Sequence, residues 1–216
     1  MNFDPATLDR ATLNTLINGL VCPRPIAWVS TVSAAGVSNL APFSFFNAFS
    51  FSPPTVGIGP GSRNGVNKDS LRNLRETGEL TISVVTEGLA ELANATSAEF
   101  PPEIDEWEAL GIEGAPSLEV RPRRVAASPA AFECKVLQVL ELGGLPTRSN
   151  SLVVARVVRI YVDDRALDGT RPRSEILQLV ARMGGDEWCR TRDKFVLSRP
   201  TSTDPDTVRQ GLVKAQ

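Results

Sequence analysis

Apolar positions along this chain recur at two spacings, and the switches between them divide it into elements. The run PIAWVSTVS (25–33) is rich in β-branched and aromatic residues, and the turn-forming AAGVSN after it leads into a second extended run ending near Pro42, which predicts a hairpin. APFSFFNAFSFSPP (41–54) then carries Phe43, Phe45, Phe46, Phe49 and Phe51. At a two-residue period Phe43, Phe45, Phe49 and Phe51 share one face, with Asn47 at its centre. A buried amide there must satisfy two donors and an acceptor oxygen, so something polar is expected to meet Asn47. In TVGIG (55–59), Val56 and Ile58 alternate with small residues, and the glycines permit close approach of a ligand or another backbone.

The spacing changes after residue 60. Gly61 and Gly65 mark a loop, Asp69 or Ser70 offers a helix cap, Leu71 and Leu74 sit three apart on one face, and Gly78 supplies the stop. LTISVV (80–85) reads as a strand and GLAELANAT (88–96) as a helix. The Pro-rich, acidic stretch 97–116 reads as an insertion laid over the surface. FECKVLQVLEL (132–142) and SLVVARVVRIYV (151–162), joined by GGLPTRSN (143–150), predict a long antiparallel pair. SEILQLVARMGG (174–185) has helical spacing at Ile176, Leu177, Leu179 and Val180. DKFVL (193–197) is expected to be a last edge strand, and residues after Arg199 a mobile tail. Strands do not alternate regularly with helices, so the fold class is mainly β: an antiparallel barrel with short helical insertions, one domain over 1–200 and a flexible tail over 201–216.

Composition narrows the chemistry. Of 216 residues, 23 are basic and 25 acidic, a net charge of −2 that offers no broad attraction to nucleic acid or anionic membrane. The start MNFDPATLDRATL has no basic segment followed by an apolar run, and no run of 18 apolar residues occurs, so a cytoplasmic chain without a membrane partner is expected. Cys22, Cys134 and Cys189 are too widely spaced for a metal clamp, and no metal site is expected. The chain has no histidine, which removes Ser-His-Asp and Cys-His catalysis. Chemistry must come from carboxylates, Lys, Arg, hydroxyls or a cofactor.

Three stretches are candidate binding elements. In the loop 61–69, Ser62, Arg63, Asn67 and Lys68 place donors and two positive charges ahead of a helix start, which suits a phosphate monoester, although a solvated loop gives the same pattern. Ser30 and Thr31 offer hydroxyls on the first strand. The Phe-rich stretch offers aromatic faces and Asn47, or simply core. Together they describe a ligand with a phosphate at one end and a flat heterocycle at the other, the shape of flavin mononucleotide (FMN).

RPIAWVSTVSAAGVSNLAPFSFFNAFSFSPPTVGIG, NKDSLRNLRETGELTISVV, SPAAFECKVLQV and VARMGGDEW, in this order, resemble the flavin reductase-like family of FMN-binding split-barrel proteins, which includes the flavoredoxins; the similarity runs from about Pro23 to about Pro200. The resemblance implies a six-stranded Greek-key split barrel that forms a homodimer with FMN near the subunit interface. It implies that Ser30, Thr31, Lys68 and Asp69 lie by the ribityl-phosphate, and that Ser44, Phe45, Phe46 and Asn47 flank the isoalloxazine. Arg182 and Trp188, in an Arg-x-Gly-Gly block shared with the longer flavoredoxin-like members, are then expected on the open face of the flavin, on the side of the second substrate. The implied activity passes reducing equivalents from NAD(P)H through FMN to flavin, an oxygenase or another redox partner. A flavoredoxin-type electron carrier with little direct NAD(P)H activity is the alternative, and a split barrel that binds another planar ligand such as haem, or has lost its cofactor, a third. Short NAD(P)H:flavin oxidoreductases of the family carry a GDH-type motif on a late strand. The corresponding SNSLVVARV (149–157) has no histidine, so the resemblance implies FMN binding more strongly than NAD(P)H turnover.

Overall fold

The computed structural model describes residues 1–63, 66–101, 104–145 and 148–213, with the backbone alone at 62–63, 66–67, 144–145, 148–149 and 210–213. Its elements in chain order are α1 (Arg10–Leu20), β1 (Ala27–Val32), β2 (Ser38–Phe43), β3 (Phe46–Phe51), β4 (Pro54–Ile58), α2 (Asp69–Thr77), β5 (Glu79–Val84), α3 (Ala90–Ala95), α4 (Glu106–Ala109), β6 (Ala130–Leu145), β7 (Arg148–Val162), β8 (Val180–Arg182) and β9 (Trp188–Arg190). Seven strands form one antiparallel sheet in the order β2-β1-β5-β6-β7-β4-β3. Its two edge strands, β2 and β3, follow each other in the chain and are joined only by Ser44 and Phe45, so the sheet curls round to a corner where the barrel is split. The family's fold expectation of a mainly β split barrel holds.

Inward-facing Ala27, Val29, Phe43, Val56, Ile58, Leu80, Ile82, Cys134, Val153 and Ala155 fill the interior, and α2 adds Leu71 and Leu74 to it. Each of those leucines is essentially inaccessible, a burial worth roughly 1.5–3 kcal/mol apiece. The stop at Gly78 is as expected, with a left-handed φ of 67°. The start differs: Lys68 occupies the cap position and its side chain does not cap the helix, while Asp69 lies in the first turn and pairs with Arg72 at 2.6 Å.

A second apolar layer lies on the other side of β1 and β2, where Ile26, Trp28 and Leu40 meet Val85, Ala93, Trp107, Ile112 and Val125. The stretch 97–116 was expected to lie over the surface; instead α4 sends Trp107 into this layer at 1% exposure. Asp105 caps α4 by accepting from the Trp107 N–H at 2.8 Å, and Glu106 turns its carboxylate to the Leu40 N–H on the edge strand. The edge is thereby covered, a usual defence against strand-to-strand association.

Two sequence expectations fail locally. The helix over 174–185 ends at Leu177, because Gln178 adopts a left-handed φ of 43°, and Val180–Arg182 continues as β8. DKFVL (193–197) pairs with no strand among the described residues, and Phe195, Val196 and Leu197 are exposed. Beyond it, Pro205–Val213 is helical.

The Phe-rich stretch is not one strand. Ser44 and Phe45 leave the ladder between β2 and β3, so Phe43 and Phe46, three apart rather than two, both pack toward the interior. Parity is reversed after the corner. Asn47 consequently points outward opposite Gly57, is exposed, and its Oδ1 accepts from the Ala48 N–H at 2.8 Å.

Candidate functional site

The corner between β2 and β3 is where the chain brings its chemistry together. The short strand Arg24–Pro25 pairs with β8, setting Arg24 opposite Arg182, and β8 pairs with β9, setting Arg182 opposite Trp188. Ser44 closes the arrangement from the corner. The result is a half-open groove of about 190 Å³ lined by Ile26, Pro42, Ser44, Asn94, Arg182 and Trp188. Sequence reading placed Ser44, Arg182 and Trp188 near one ligand, and the structure brings these three together.

Arg24 is the residue that sequence reading missed. It is 7% exposed and its guanidinium reaches three carbonyls: Asn18 at 2.6 Å, Val21 at 2.7 Å and Met183 at 2.9 Å. A longer contact of 3.4 Å reaches the Ser44 Oγ, and the charge lies 5.9 Å from the Phe45 ring centre. Two of the carbonyls belong to the end of α1, where the helix dipole is negative. Burial, and then the neighbouring Arg182 charge, hold its pKa below the ordinary arginine value. The only signal available was its place in the RP-x-A-x-VST block.

Arg182 donates to the Gly185 carbonyl at 2.7 Å and lies 5.2 Å over the Trp188 ring. Among the described residues, no carboxylate pairs with Arg24 or Arg182, whereas Arg72, Arg121, Arg190 and Arg192 all have acidic partners. Two adjacent cations without carboxylate partners, one of them lining the groove, favour an anionic ligand.

The remaining predicted residues are distributed around this centre. Lys68 is exposed at the start of α2, with its ammonium 5.7 Å from the ring centre of Phe43, the residue just before Ser44. Phe45 lies against Gly59, where a Cβ would come within 2.9 Å of the Phe45 Cβ, and its carbonyl accepts from the Gly59 N–H. Phe46 packs against the interior. Thr31 is fully buried and its hydroxyl accepts from the Asn73 amide at 3.1 Å, tying β1 to α2 and leaving no access for a ligand. Ser30 is equally buried, on the face toward Leu40, and its hydroxyl has no hydrogen-bond partner among the described residues. The side chains of Ser62, Arg63 and Asn67 lie outside the described residues; their backbones form a short antiparallel pair, Ser62–Arg63 with Val66–Asn67.

A larger hollow of about 330 Å³ lies beside α2 and the β1–β2 turn, lined by Asn39, Asp69, Arg72, Asn73 and Glu76 among others. Its two carboxylates outnumber its one arginine, so it does not suit a phosphate. The smaller groove has the charge that an anion needs.

Fold and groove thus define a split-barrel protein with a cationic cleft at its corner. The chain belongs to the flavin reductase-like family: the model of the flavin reductase like domain matches residues 19–179. It is 38% identical over 203 residues, 93% of this chain and 97% of the relative, to an uncharacterized protein of Halalkalibacterium halodurans. Among solved structures, nitrilotriacetate monooxygenase component B from Bacillus cereus superposes with a TM-score of 0.87 at 28% identity, covering 91% of this chain and 98% of that one. The 2-nitrobenzoate 2-nitroreductase of Pseudomonas fluorescens superposes with a TM-score of 0.84 at 30% identity, over 93% and 97%.

Proposed function

We propose that the chain binds FMN at the corner groove and acts as an oxidoreductase, passing reducing equivalents from NAD(P)H through the flavin to free flavin or a partner oxygenase. The observation that carries the reading is Arg182, lining a half-open groove with no carboxylate partner and with buried Arg24 paired opposite it, in a chain of this family. The residues fit the cofactor's two ends. Pro42 and Ser44 would flank the ring, Arg182 and Trp188 would line its open face, and Lys68 with the amides at the start of α2 would meet the phosphate. Asp69 would contribute its backbone N–H, since its carboxylate is already paired with Arg72. Bound flavin would supply hydride acceptance and onward electron transfer, which needs no histidine. The protein's part is to hold the ring, present positive charge to its polar edge and keep one face open.

A homodimer belongs to the same proposal. The groove is smaller than the roughly 300–1,000 Å³ that encloses a small-molecule ligand, so a covering element is required. Beside it, Phe45, Phe49 and Phe51 are exposed; Phe49 lies over Gly57, near Leu152, which faces Leu140 across the β6–β7 pair. A second copy seated on this apolar face would bury it and approach the groove. The nitrilotriacetate monooxygenase neighbour, a component B, supports an oxygenase as electron acceptor.

The absence of histidine favours a second reading, an electron carrier reduced by another protein. Anaerobic spectroscopy separates the two. Purified protein incubated with FMN should be yellow, and NADH or NADPH alone should bleach its band near about 450 nm. Bleaching only with a partner reductase would establish the carrier, and a protein that retains no FMN would overturn both.

A further inference from the structure

We infer that the open side of the groove selects a planar aromatic carboxylate, with its ring against Trp188 and its carboxylate on Arg182. This rests on the functional proposal in one respect: the groove is taken as the place where a second substrate meets the flavin.

The charge argument comes first. Arg24 and Arg182 face each other across the pairing of Arg24–Pro25 with β8. Arg24 spends its donors on the Asn18, Val21 and Met183 carbonyls. Arg182, by contrast, has one described hydrogen bond, to Gly185, from a group with five N–H donors. Its remaining fork matches a carboxylate in bidentate geometry, and the buried charge of Arg24 behind it strengthens the preference for an anion. A few residues along, Arg190 and Arg192 share Glu87 and are neutralised. The groove arginine is left with donors to spare for a ligand's oxygens.

Shape supplies the rest. Ile26 and Pro42 form an apolar wall, and Trp188 contributes a flat one. The Arg182 guanidinium already lies 5.2 Å over the Trp188 ring, so a ligand whose ring stacks on that indole brings a carboxyl substituent within reach of the same arginine. An aliphatic polyanion would gain the charge without the stacking. A neutral aromatic would gain the stacking without the charge.

Tryptophan emission reads this site directly. Of the three tryptophans, Trp28 and Trp107 are 0% and 1% exposed, and Trp188 alone is open to a ligand. Protein with and without saturating FMN is titrated with benzoate, and with benzamide as the neutral isostere. Benzoate should quench emission saturably and bind at least about tenfold more tightly than benzamide. Arg182→Gln should abolish that ratio, and Arg182→Lys should restore part of it. Equal affinities for the two probes, no saturable change in either form, or a ratio that survives Arg182→Gln would overturn the inference. The wild-type ratio needs no variant, so a variant that misfolds does not shelter the idea. FMN retention is read separately from flavin absorbance. Charge-selective binding without FMN uptake would sink the functional proposal alone, and FMN uptake with charge-indifferent probes would sink this one alone.

Discussion

Replacing Arg24 by Met tests whether one buried guanidinium holds the groove's walls together. α1 buries none of its side chains, so its attachment depends on few contacts. Arg24 reaches the Asn18 and Val21 carbonyls at its end, and Gly184 approaches Gly19 closely enough that a Cβ would lie 3.3 Å from the Gly19 Cα. Met retains most of the aliphatic length and removes the charge. Three short bonds to carbonyls are lost, each worth about 1.5 kcal/mol at the lower end for charged donors, while the contact to Ser44, at 3.4 Å, adds little. Against this loss of about 4–5 kcal/mol stands the relief of a desolvated charge, which returns about 2 kcal/mol. The net cost is about 2–3 kcal/mol, confined to α1 and the loop around Met183. Amide hydrogen exchange should therefore accelerate about 30- to 150-fold over residues 10–20, with β5 and β6 unchanged. Arg24→Lys should fall between, because one ammonium cannot reach all three carbonyls, two at the end of α1 and one at Met183, as the guanidinium fork does. Unchanged exchange over α1 in Arg24→Met would show that the helix is held by something else and would refute the reasoning.

Two further outcomes follow from buried titratable groups. Burial, and then Glu133, push the Cys134 thiol up to about 12; its folded value lies above the unfolded one, so its stabilising contribution is complete below about pH 9 and is lost as pH rises toward about 12. At pH 8 a thiol reagent should therefore modify half-buried Cys22 and Cys189 in the native protein and reach Cys134 only with denaturant; three equally fast thiols would contradict this. Burial also raises the pKa of Glu106, so its contribution to stability is greatest below the unfolded value near 4.5 and is lost as pH rises through the folded one. Glu106→Gln keeps an oxygen for the Leu40 N–H and removes the charge. Urea unfolding should show it more stable than wild type at pH 7 and no more stable at pH 4; a loss at pH 7 would show that the ionised carboxylate is required.

What could be read from the sequence was what local chemistry decides. The hairpin of β1 and β2 follows from β-branched runs flanking a turn, and α2 follows from Leu71, Leu74 and the stop at Gly78. The groove was legible through Ser44, Arg182 and Trp188 because they lie in blocks that resemble a known family. Arg24 was not, since its role is set by the Met183 carbonyl, 159 residues away, and by a helix end with no side chain in the core. Asn47 was misplaced for a physical reason: period-two reasoning assumes an unbroken ladder, and two residues outside the ladder change the distance between inward positions from two to three. Gln178 produced a similar error, because a left-handed residue ended a helix whose apolar spacing continues past it.

The break that misled the period is also what makes the site. Along β1 and β5, backbone donors and acceptors are spent on neighbouring strands, and no ligand can use them. At the corner the ladder stops, and Ser44 and Phe45 pair with no strand as residues of the sheet. The outward edge of β2 is guarded at Leu40, whose N–H is held by Glu106, and beyond it the groove opens at the corner. Charge is then delivered to it from elements remote in sequence: Arg24 precedes the barrel, and Arg182 follows it. An anion placed there gains from both without disturbing a single strand pairing. It follows that variants at Arg182 should alter ligand selection while leaving the barrel's stability nearly unchanged, whereas variants at Arg24 should alter both.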